Sequence, residues 1–142
     1  MLEKWSMSFP DGEPLAHQLR SVFADRWVRF HSLPESKRYP ESEAEYGVVM
    51  RRHNAVLGAL HQPGSSMVLL TTETAWEPGF FNPIIRRVAD DVIGNVMICE
   101  ADCRWIVHPY DGGMDVVLSC ADQRDRLRER FVDWLSLYPG GL

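Results

Sequence analysis

Residues 92 to 119 contain three strand-like runs joined by connections of only three or four residues. The runs read VIGNVMIC, RWIVHPY and MDVVLS, and the connections between them read EADC and DGG. Connections this short join antiparallel neighbours, because a parallel pair needs a crossover of a dozen or more residues. This stretch therefore predicts a three-stranded antiparallel meander, which limits the folds open to the rest of the chain.

The second connection, Asp111-Gly112-Gly113, is explained by turn geometry. Asp-Gly is typical of a two-residue type I′ hairpin turn, in which both central residues have a positive φ. The second Gly also permits a three-residue turn with a bulge. We therefore interpret these residues as structural. Tyr110 and Asp115 flank the turn, at a hairpin tip where side chains often contact partners.

The clearest helical pattern begins at Ser42. Ser42 and Glu45 have the spacing of a capping box, in which each side chain satisfies an orphan amide at the helix start, and an apolar stripe then continues to Leu60. Pro63-Gly64 ends this helix. A short helix over residues 83–91 with Asn82 as its cap, and a last helix that Ser119 caps and that extends to Tyr138, are also predicted.

The remaining segments complete the pattern. Residues 15–23 have helical spacing, residues 27–31 alternate like a short strand, and the run SMVLLTTETAW from residue 66 is interpreted as one buried strand. Residues 1–13 are expected to form a loose lead-in. This order predicts a single globular domain over residues 1–142, with an α+β fold in which helices pack on a mainly antiparallel sheet.

The negative charge of the chain is concentrated in its middle. Residues 73–115 contain eight acidic and three basic residues, which accounts for the whole formal charge of −5, because the rest of the chain is balanced. Nucleic-acid binding normally needs a basic surface, so we expect no nucleic-acid partner. A basic protein partner suits this segment better, although an ordinary solvated surface gives the same composition. In the last helix, Asp122 and Arg126 have the spacing of an ion pair.

The cysteine and histidine residues form no recognisable catalytic or metal motif. Cys99, Cys103 and His108 could supply three zinc ligands, but no second pair has a comparable spacing, so we predict no metal and no cofactor. Cys120 could be activated near a helix start, yet the sequence indicates no base for it. His53 falls on the apolar stripe and is interpreted as a core histidine. No catalytic residue is assigned.

Three further features concern the compartment. Three Cys is an odd number without a disulfide framework, residues 1–14 contain no apolar signal region, and no apolar run approaches the length of a membrane span. We therefore expect a cytoplasmic protein with free thiols and no membrane partner.

The C-terminal sequence WIVHPYDGGMDVVLSCADQRDRLRERFVDWLSLYP resembles a poorly characterised bacterial family of small acidic cytosolic proteins, known only as a domain of unknown function. Its members carry a Tyr-Asp turn, an Asp two or three residues further on, a strand, and a helix ending in Asp-Trp. Tyr110 to Val117 and Asp133-Trp134 match these features, and the resemblance extends from about residue 26 onward. The usual Asp-Arg-Gly turn is Asp111-Gly112-Gly113 here, so no turn arginine is carried over. The resemblance implies no catalytic residues.

These observations favour a non-enzymatic protein-binding domain, by analogy an immunity-like or antitoxin-like protein. An acidic surface with aromatic anchors would cover a basic site on another protein. The residues that we assign to partner binding are Trp76, Glu77, Tyr110, Asp111 and Asp115. The alternative is a small enzyme or ligand-binding domain with a pocket lined by His53, Cys120 or His108. The Trp-rich composition is also compatible with a homodimer.

Overall fold

The computed structural model describes residues 2–13, 15–61, 66–69, 72–75 and 77–136. These residues form helices and strands in mixed order. The helices are α1 Leu2–Ser8, α2 Leu19–Val22, α3 Glu43–Leu60, α4 Asn82–Ala89 and α5 Ala121–Arg130. The strands are β1 Trp27–His31, β2 Ser66–Leu69, β3 Thr72–Ala75, β4 Ile98–Glu100, β5 Ile106–Tyr110 and β6 Gly113–Val117.

The strands form one antiparallel sheet in the order β1-β6-β5-β4-β2-β3. The predicted meander is confirmed, since β4, β5 and β6 are consecutive neighbours. Strand β1 pairs along the outer side of β6, from Trp27 opposite Val117 to His31 opposite Gly113. The α+β fold predicted from the sequence is thus confirmed.

The described residues of the run that starts at residue 66 form two strands, and the prediction of one strand is wrong. Strands β2 and β3 pair antiparallel, with Ser66 opposite Ala75 and Leu69 opposite Thr72. The sequence between the two strands contains no Gly, Pro, Asn or Asp, the residues that usually indicate a reversal of the chain.

Helix α3 begins as predicted. The Ser42 Oγ accepts a hydrogen bond from the Glu45 N–H, 3.3 Å away. The Glu45 carboxylate reaches back beyond the helix start and accepts from the Glu41 N–H at 2.6 Å. Helix α4 also forms, but Asn82 is not its cap. Asn82 lies inside the helix, where its side-chain oxygen accepts from the Asn54 amide at 2.7 Å.

Both ends of the chain differ from the predictions. Residues 1–13 are not a loose lead-in, because α1 forms there and inserts Trp5 and Phe9, which are 5% and 1% exposed. Helix α5 is shorter than predicted and begins after Cys120 with no side-chain cap, since the Ser119 hydroxyl donates to the Arg104 carbonyl. Tyr138, the predicted end of the last helix, lies outside the described residues.

Helices pack on both faces of the sheet. Because successive strand residues point to opposite faces, β1 places Val28 and Phe30 against one face and Trp27 against the other. Helix α3 supplies buried side chains to the first face, while α1 and α2 cover the second. The polar residues of the second face form the site described next. None of the described helices is both long enough and apolar enough to cross a bilayer.

The β5–β6 turn is tight, but it is not the type I′ turn that was predicted. Tyr110 pairs directly with Gly113, leaving Asp111 and Gly112 as the turn residues. Neither has the left-handed φ that a type I′ turn requires. Close packing explains Gly113 instead. A Cβ at this position would lie 2.2 Å from the Phe30 carbonyl oxygen and 2.8 Å from the Tyr110 hydroxyl.

Candidate functional site

The antiparallel register places a row of polar residues across three strands. Arg29 of β1 is paired with Asp115 of β6, and Asp115 is paired with His108 of β5. Directly paired residues point to the same face of a sheet. These three residues therefore lie on the face that α1 and α2 cover, one step beyond the apolar residues beneath those helices. His31, Gly113 and Tyr110 form the next row, at the edge of the β5–β6 turn.

Arg29 and Asp115 form a buried ion pair. The Arg29 Nε and Nη2 donate to the two Asp115 oxygens at 2.6 and 2.7 Å, and the two side chains are only 14% and 6% exposed. The guanidinium carbon also lies 4.8 Å from the centre of the Tyr110 ring. Burial alone would lower the pKa of Arg29, but the hydrogen bonds and charge of Asp115 outweigh it and raise the pKa.

At the hairpin tip, Asp111 is held by the loop that follows β1. The Arg38 Nε donates to its carboxylate at 2.6 Å, and the Tyr39 hydroxyl donates to the same oxygen at 3.0 Å. The Arg38 side chain is 58% exposed, whereas that of Asp111 is 11% exposed. The hydrogen bond to Asp111 raises the pKa of Tyr39, because it stabilises the protonated hydroxyl.

Two clefts flank Tyr110 and Arg38, which line both. The smaller, about 150 Å³, is also lined by His31 and Ser36. The larger, about 210 Å³, is also lined by His108 and by the segment from Asp91 to Asn95. In the larger cleft, the His108 Nδ1 donates to the Val96 carbonyl at 2.8 Å, which leaves its Nε2 as an acceptor.

Left-handed backbone conformations cluster around these clefts. Ser36 has a φ of 58°, Asp91 of 56° and Asn95 of 57°, and Glu35, next to Ser36, has a φ of 55°. Only one further non-glycine residue among those described, Cys103, shares this conformation. Such conformations cost free energy and tend to cluster at binding sites, so they single out this end of the molecule.

The outer rim of the larger cleft is acidic and partly apolar. Asp90 and Asp91 are exposed, and no ion pair within the described part of the chain involves either one. Asp90 accepts a hydrogen bond from the Tyr46 hydroxyl. Beside them, Val92 is 60% exposed and Tyr39 is 44% exposed. We call Tyr39, Asp90, Asp91, Val92 and Asp111 the tip surface.

The residues assigned to partner binding from the sequence lie in different environments. Tyr110 and Asp111 are half-buried at the hairpin tip, whereas Asp115 is buried and its carboxylate is occupied by Arg29. Glu77 is exposed, and no hydrogen bond or ion pair of the described residues joins it to the tip surface. Trp76 lies outside the described residues.

The alternative pocket residues do not come together. His53 is 1% exposed, and its Nδ1 donates to the Val49 carbonyl at 2.9 Å, as expected of a core histidine. Burial lowers the pKa of His53 to about 4. Cys120 is exposed, whereas Cys99 is buried in the core under α1 and α2. Within the described residues, no group of three His, Cys, Asp or Glu side chains could hold a metal ion.

Sequence reasoning missed Arg29, Arg38, Asp90 and Asp91. The register of β1 against β6, which brings Arg29 to Asp115, joins residues 86 positions apart and leaves no local signal. The pair Asp90-Asp91 was visible as a charged end to the helix predicted over residues 83–91, but only the folded structure shows that it adjoins the hairpin tip.

Comparison with known proteins is consistent with the sequence resemblance. No curated protein and no solved structure matches the chain. The family model for "Domain of unknown function (DUF3885)" matches residues 15–80 and 69–139. Together these segments cover nearly the whole chain, and the protein therefore belongs to the DUF3885 family.

Proposed function

We propose that this protein is a non-enzymatic protein-binding domain whose tip surface covers a basic site on a partner protein. The observation that supports this most is the neighbourhood of Asp90 and Asp91. Both are exposed acids without an ion-pair partner among the described residues, and the exposed Val92 follows them directly in the chain. The exposed Tyr39 binds Asp111 and lies near enough to Asp91 for that charge to raise the pKa of its hydroxyl. Exposed acids beside exposed apolar groups are typical of an interface that attracts a basic partner.

The two kinds of residue have different roles in binding. The carboxylates attract a basic partner over a distance and raise the rate of encounter, an effect that salt screens. Tyr39 and Val92 bury apolar surface once the complex forms and slow its dissociation. The charge excess of residues 73–115 supports this division, since Asp90, Asp91 and Asp111 belong to that segment.

The larger cleft offers a place for a single cationic side chain of the partner. Asp91 and Asp111 line it, together with Tyr110 and the acceptor nitrogen of His108. Arg38 occupies the Asp111 carboxylate in the free protein, and its exposed side chain can move aside. A lysine or arginine of the partner would then replace Arg38, so an internal ion pair is exchanged for an intermolecular one at small net cost.

An immunity-like or antitoxin-like inhibitor is the specific form of this proposal. In that role the domain would act in the cytoplasm, and the partner would be an enzyme whose active site is basic. Cys99, Cys103 and Cys120 are not joined in disulfides, which is compatible with a reducing compartment.

A photo-crosslinking experiment in cells that naturally contain the protein tests this function. Val92 is replaced by p-benzoylphenylalanine, and Val132, which is also 60% exposed but lies beyond α5, provides the matched control position. We expect an adduct with a basic protein from position 92 and none from position 132. Equal adducts from both positions, or none from position 92, would contradict the proposal.

Charge-reversal variants test how much the acids of the tip surface contribute to partner binding. Asp90→Lys with Asp91→Lys is expected to abolish the adduct at position 92. Glu129→Lys with Asp133→Lys changes the net charge equally on exposed residues elsewhere and should leave the adduct unchanged. If both double variants reduce the adduct to the same extent, net charge and not the tip surface governs binding.

A further inference from the structure

A further cavity lies at the other end of β5, away from the tip surface. It is about 260 Å³ in volume and is bordered by α5, the end of α3 and the residues just before β5. Its polar lining consists of Glu100, Arg104, Gln123, Arg126 and Arg130. The five residues of β5 separate this cavity from the hairpin tip by about 17 Å. The chain therefore has an acidic rim at one end of β5 and a basic cavity at the other.

Two of the three arginines in this cavity have no carboxylate partner. Arg104 donates to both oxygens of Glu100 at 2.6 and 2.7 Å, so its charge is neutralised. Arg126 does not form the ion pair with Asp122 that its spacing predicted, because its Nε donates to the Asp122 backbone carbonyl instead, at 3.2 Å. No ion pair within the described residues involves Arg126 or Arg130. The cavity thus has two uncompensated positive charges.

Helix geometry places these two charges side by side. Arg126 and Arg130 are four residues apart on α5, so both project from one side of the helix into the same cavity. Arg128 lies between them in sequence but lines a different cleft, on the opposite side of α5. Leu127, also between them, packs into the core and fixes the orientation of the helix.

A buried hydrogen-bond donor in the cavity lining is left without a partner. Trp105 is 4% exposed, and its indole N–H has no acceptor within the described residues. An unpaired buried donor is unfavourable, and its signal is sensitive to changes in the adjoining cavity. The rest of the lining is apolar, including Leu60 and Leu127. The cavity therefore combines two guanidinium groups that lack a carboxylate partner with an apolar floor.

We propose that this cavity binds a phosphate monoester with a small apolar body. A phosphate monoester carries close to two negative charges at neutral pH, which matches the two uncompensated arginines. Guanidinium groups bind phosphate oxygens through paired N–H donors, and Gln123 supplies a further amide donor. The apolar body lies on Leu60 and Leu127, next to Trp105. This inference goes beyond the proposed partner binding and does not depend on it, because the tip surface takes no part in it.

Calorimetric titration of the full chain with phenyl phosphate tests the proposal. We expect phenyl phosphate to bind saturably. Inorganic phosphate, which lacks the apolar body, and phenol, which lacks the charge, should both bind more weakly than phenyl phosphate. Absence of saturable binding up to about 5 mM, the range of weak specific ligands, overturns the proposal. Equal affinity for inorganic phosphate overturns the assignment of an apolar subsite.

The variants locate the site on the helix. Arg126→Gln with Arg130→Gln is expected to weaken phenyl phosphate binding by about tenfold or more, because charge-assisted hydrogen bonds are lost. Arg128→Gln removes a charge from the same helix on the opposite side and should preserve the affinity. An equal loss in both variants would show that general positive charge attracts the ligand, and would refute a defined site.

Nuclear magnetic resonance gives a readout independent of affinity. The indole N–H signal of Trp105 is expected to shift on addition of phenyl phosphate in the wild-type protein and to stay unchanged in the Arg126→Gln, Arg130→Gln variant. Signals of Trp5, a buried residue of α1 that packs in the other core cluster, provide an internal control for global effects. A Trp105 signal that does not respond in the wild-type protein contradicts the proposed position of the ligand.

Discussion

Asp115 accepts two hydrogen bonds from Arg29 across the β1–β6 pair, and both side chains are almost inaccessible to solvent. The pair links an edge strand to the meander. It also explains why an acid that belongs to the charged central segment contributes no charge to the surface, since the guanidinium neutralises the carboxylate where it is buried.

Removing one partner of this ion pair is expected to destabilise the fold. Arg29→Met leaves the Asp115 carboxylate buried and unpaired, and should lower the free energy of unfolding by about 3 kcal/mol. Urea denaturation followed by circular dichroism measures the change. Arg38→Met is the control and should have a smaller effect, because the Arg38 side chain is 58% exposed and Asp111 keeps the hydrogen bond from Tyr39. Equal effects of the two substitutions would contradict the structural role of burial.

The close contact at Gly113 gives a second prediction. Gly113→Ala forces a Cβ against the Phe30 carbonyl oxygen, which belongs to the backbone and cannot move without disturbing the β1–β6 pairing. We expect a loss of about 3 kcal/mol in unfolding free energy, as for other overpacking substitutions at tight sites.

Gly112→Ala is the matched control for this prediction. A Cβ at residue 112 would be 3.4 Å from the Arg38 Cγ, which belongs to a flexible side chain. In thermal denaturation, the melting temperature of Gly112→Ala should therefore be close to that of the wild type. The melting temperature of Gly113→Ala should be much lower. Similar melting temperatures for the two variants would show that steric contact does not explain the glycine at residue 113.

His53 should make stability depend on pH. Its pKa is lowered by burial to about 4 in the folded state, whereas an unfolded histidine titrates near 6.5. Between these two pH values the unfolded state therefore binds more protons than the folded state. The contribution of the neutral, buried His53 to stability is complete above pH 6.5 and is lost as the pH falls towards 4. The loss over this window is about 3 kcal/mol.

Unfolding free energies measured from pH 7.5 to pH 4 in wild type and His53→Gln test this effect. The variant removes the titrating group, so the difference between the two proteins should shrink as the pH falls. His17→Gln, at an exposed histidine, should give a profile parallel to wild type. A constant difference between wild type and His53→Gln across the range would refute the linkage.

The three thiols should differ in reactivity. Burial raises the pKa of Cys99 to about 12 and also raises that of Cys103, whereas Cys120 is exposed. Since the thiolate is the reactive form, Ellman's reagent at pH 8 should modify one thiol rapidly in the native protein and three after denaturation. Cys120→Ser should remove the fast phase. A fast phase that persists in this variant would place another thiol at the surface.

The predictable parts of the fold depend on local signals. The meander followed from three β-rich runs with very short connections, and α3 followed from its cap and apolar stripe, because both kinds of signal lie within a few residues of each other. The β2–β3 reversal was missed because no turn residue marks it. The type I′ turn was wrong because neither Asp111 nor Gly112 adopts a positive φ, and the next residue, Gly113, is explained by close packing against Phe30, which is distant in sequence.

The acids around the tip surface show the same difference between what local sequence predicts and what the folded structure decides. The sequence by itself determined the antiparallel meander, the two main helices and a central segment with an excess of acids. Only the tertiary structure decided which acids are available, because pairing depends on distance in space. Asp115 meets Arg29 and Asp111 meets Arg38, whereas Asp90 and Asp91 remain exposed without an ion-pair partner in the described residues. Composition counts charges, and the fold decides which of them are neutralised.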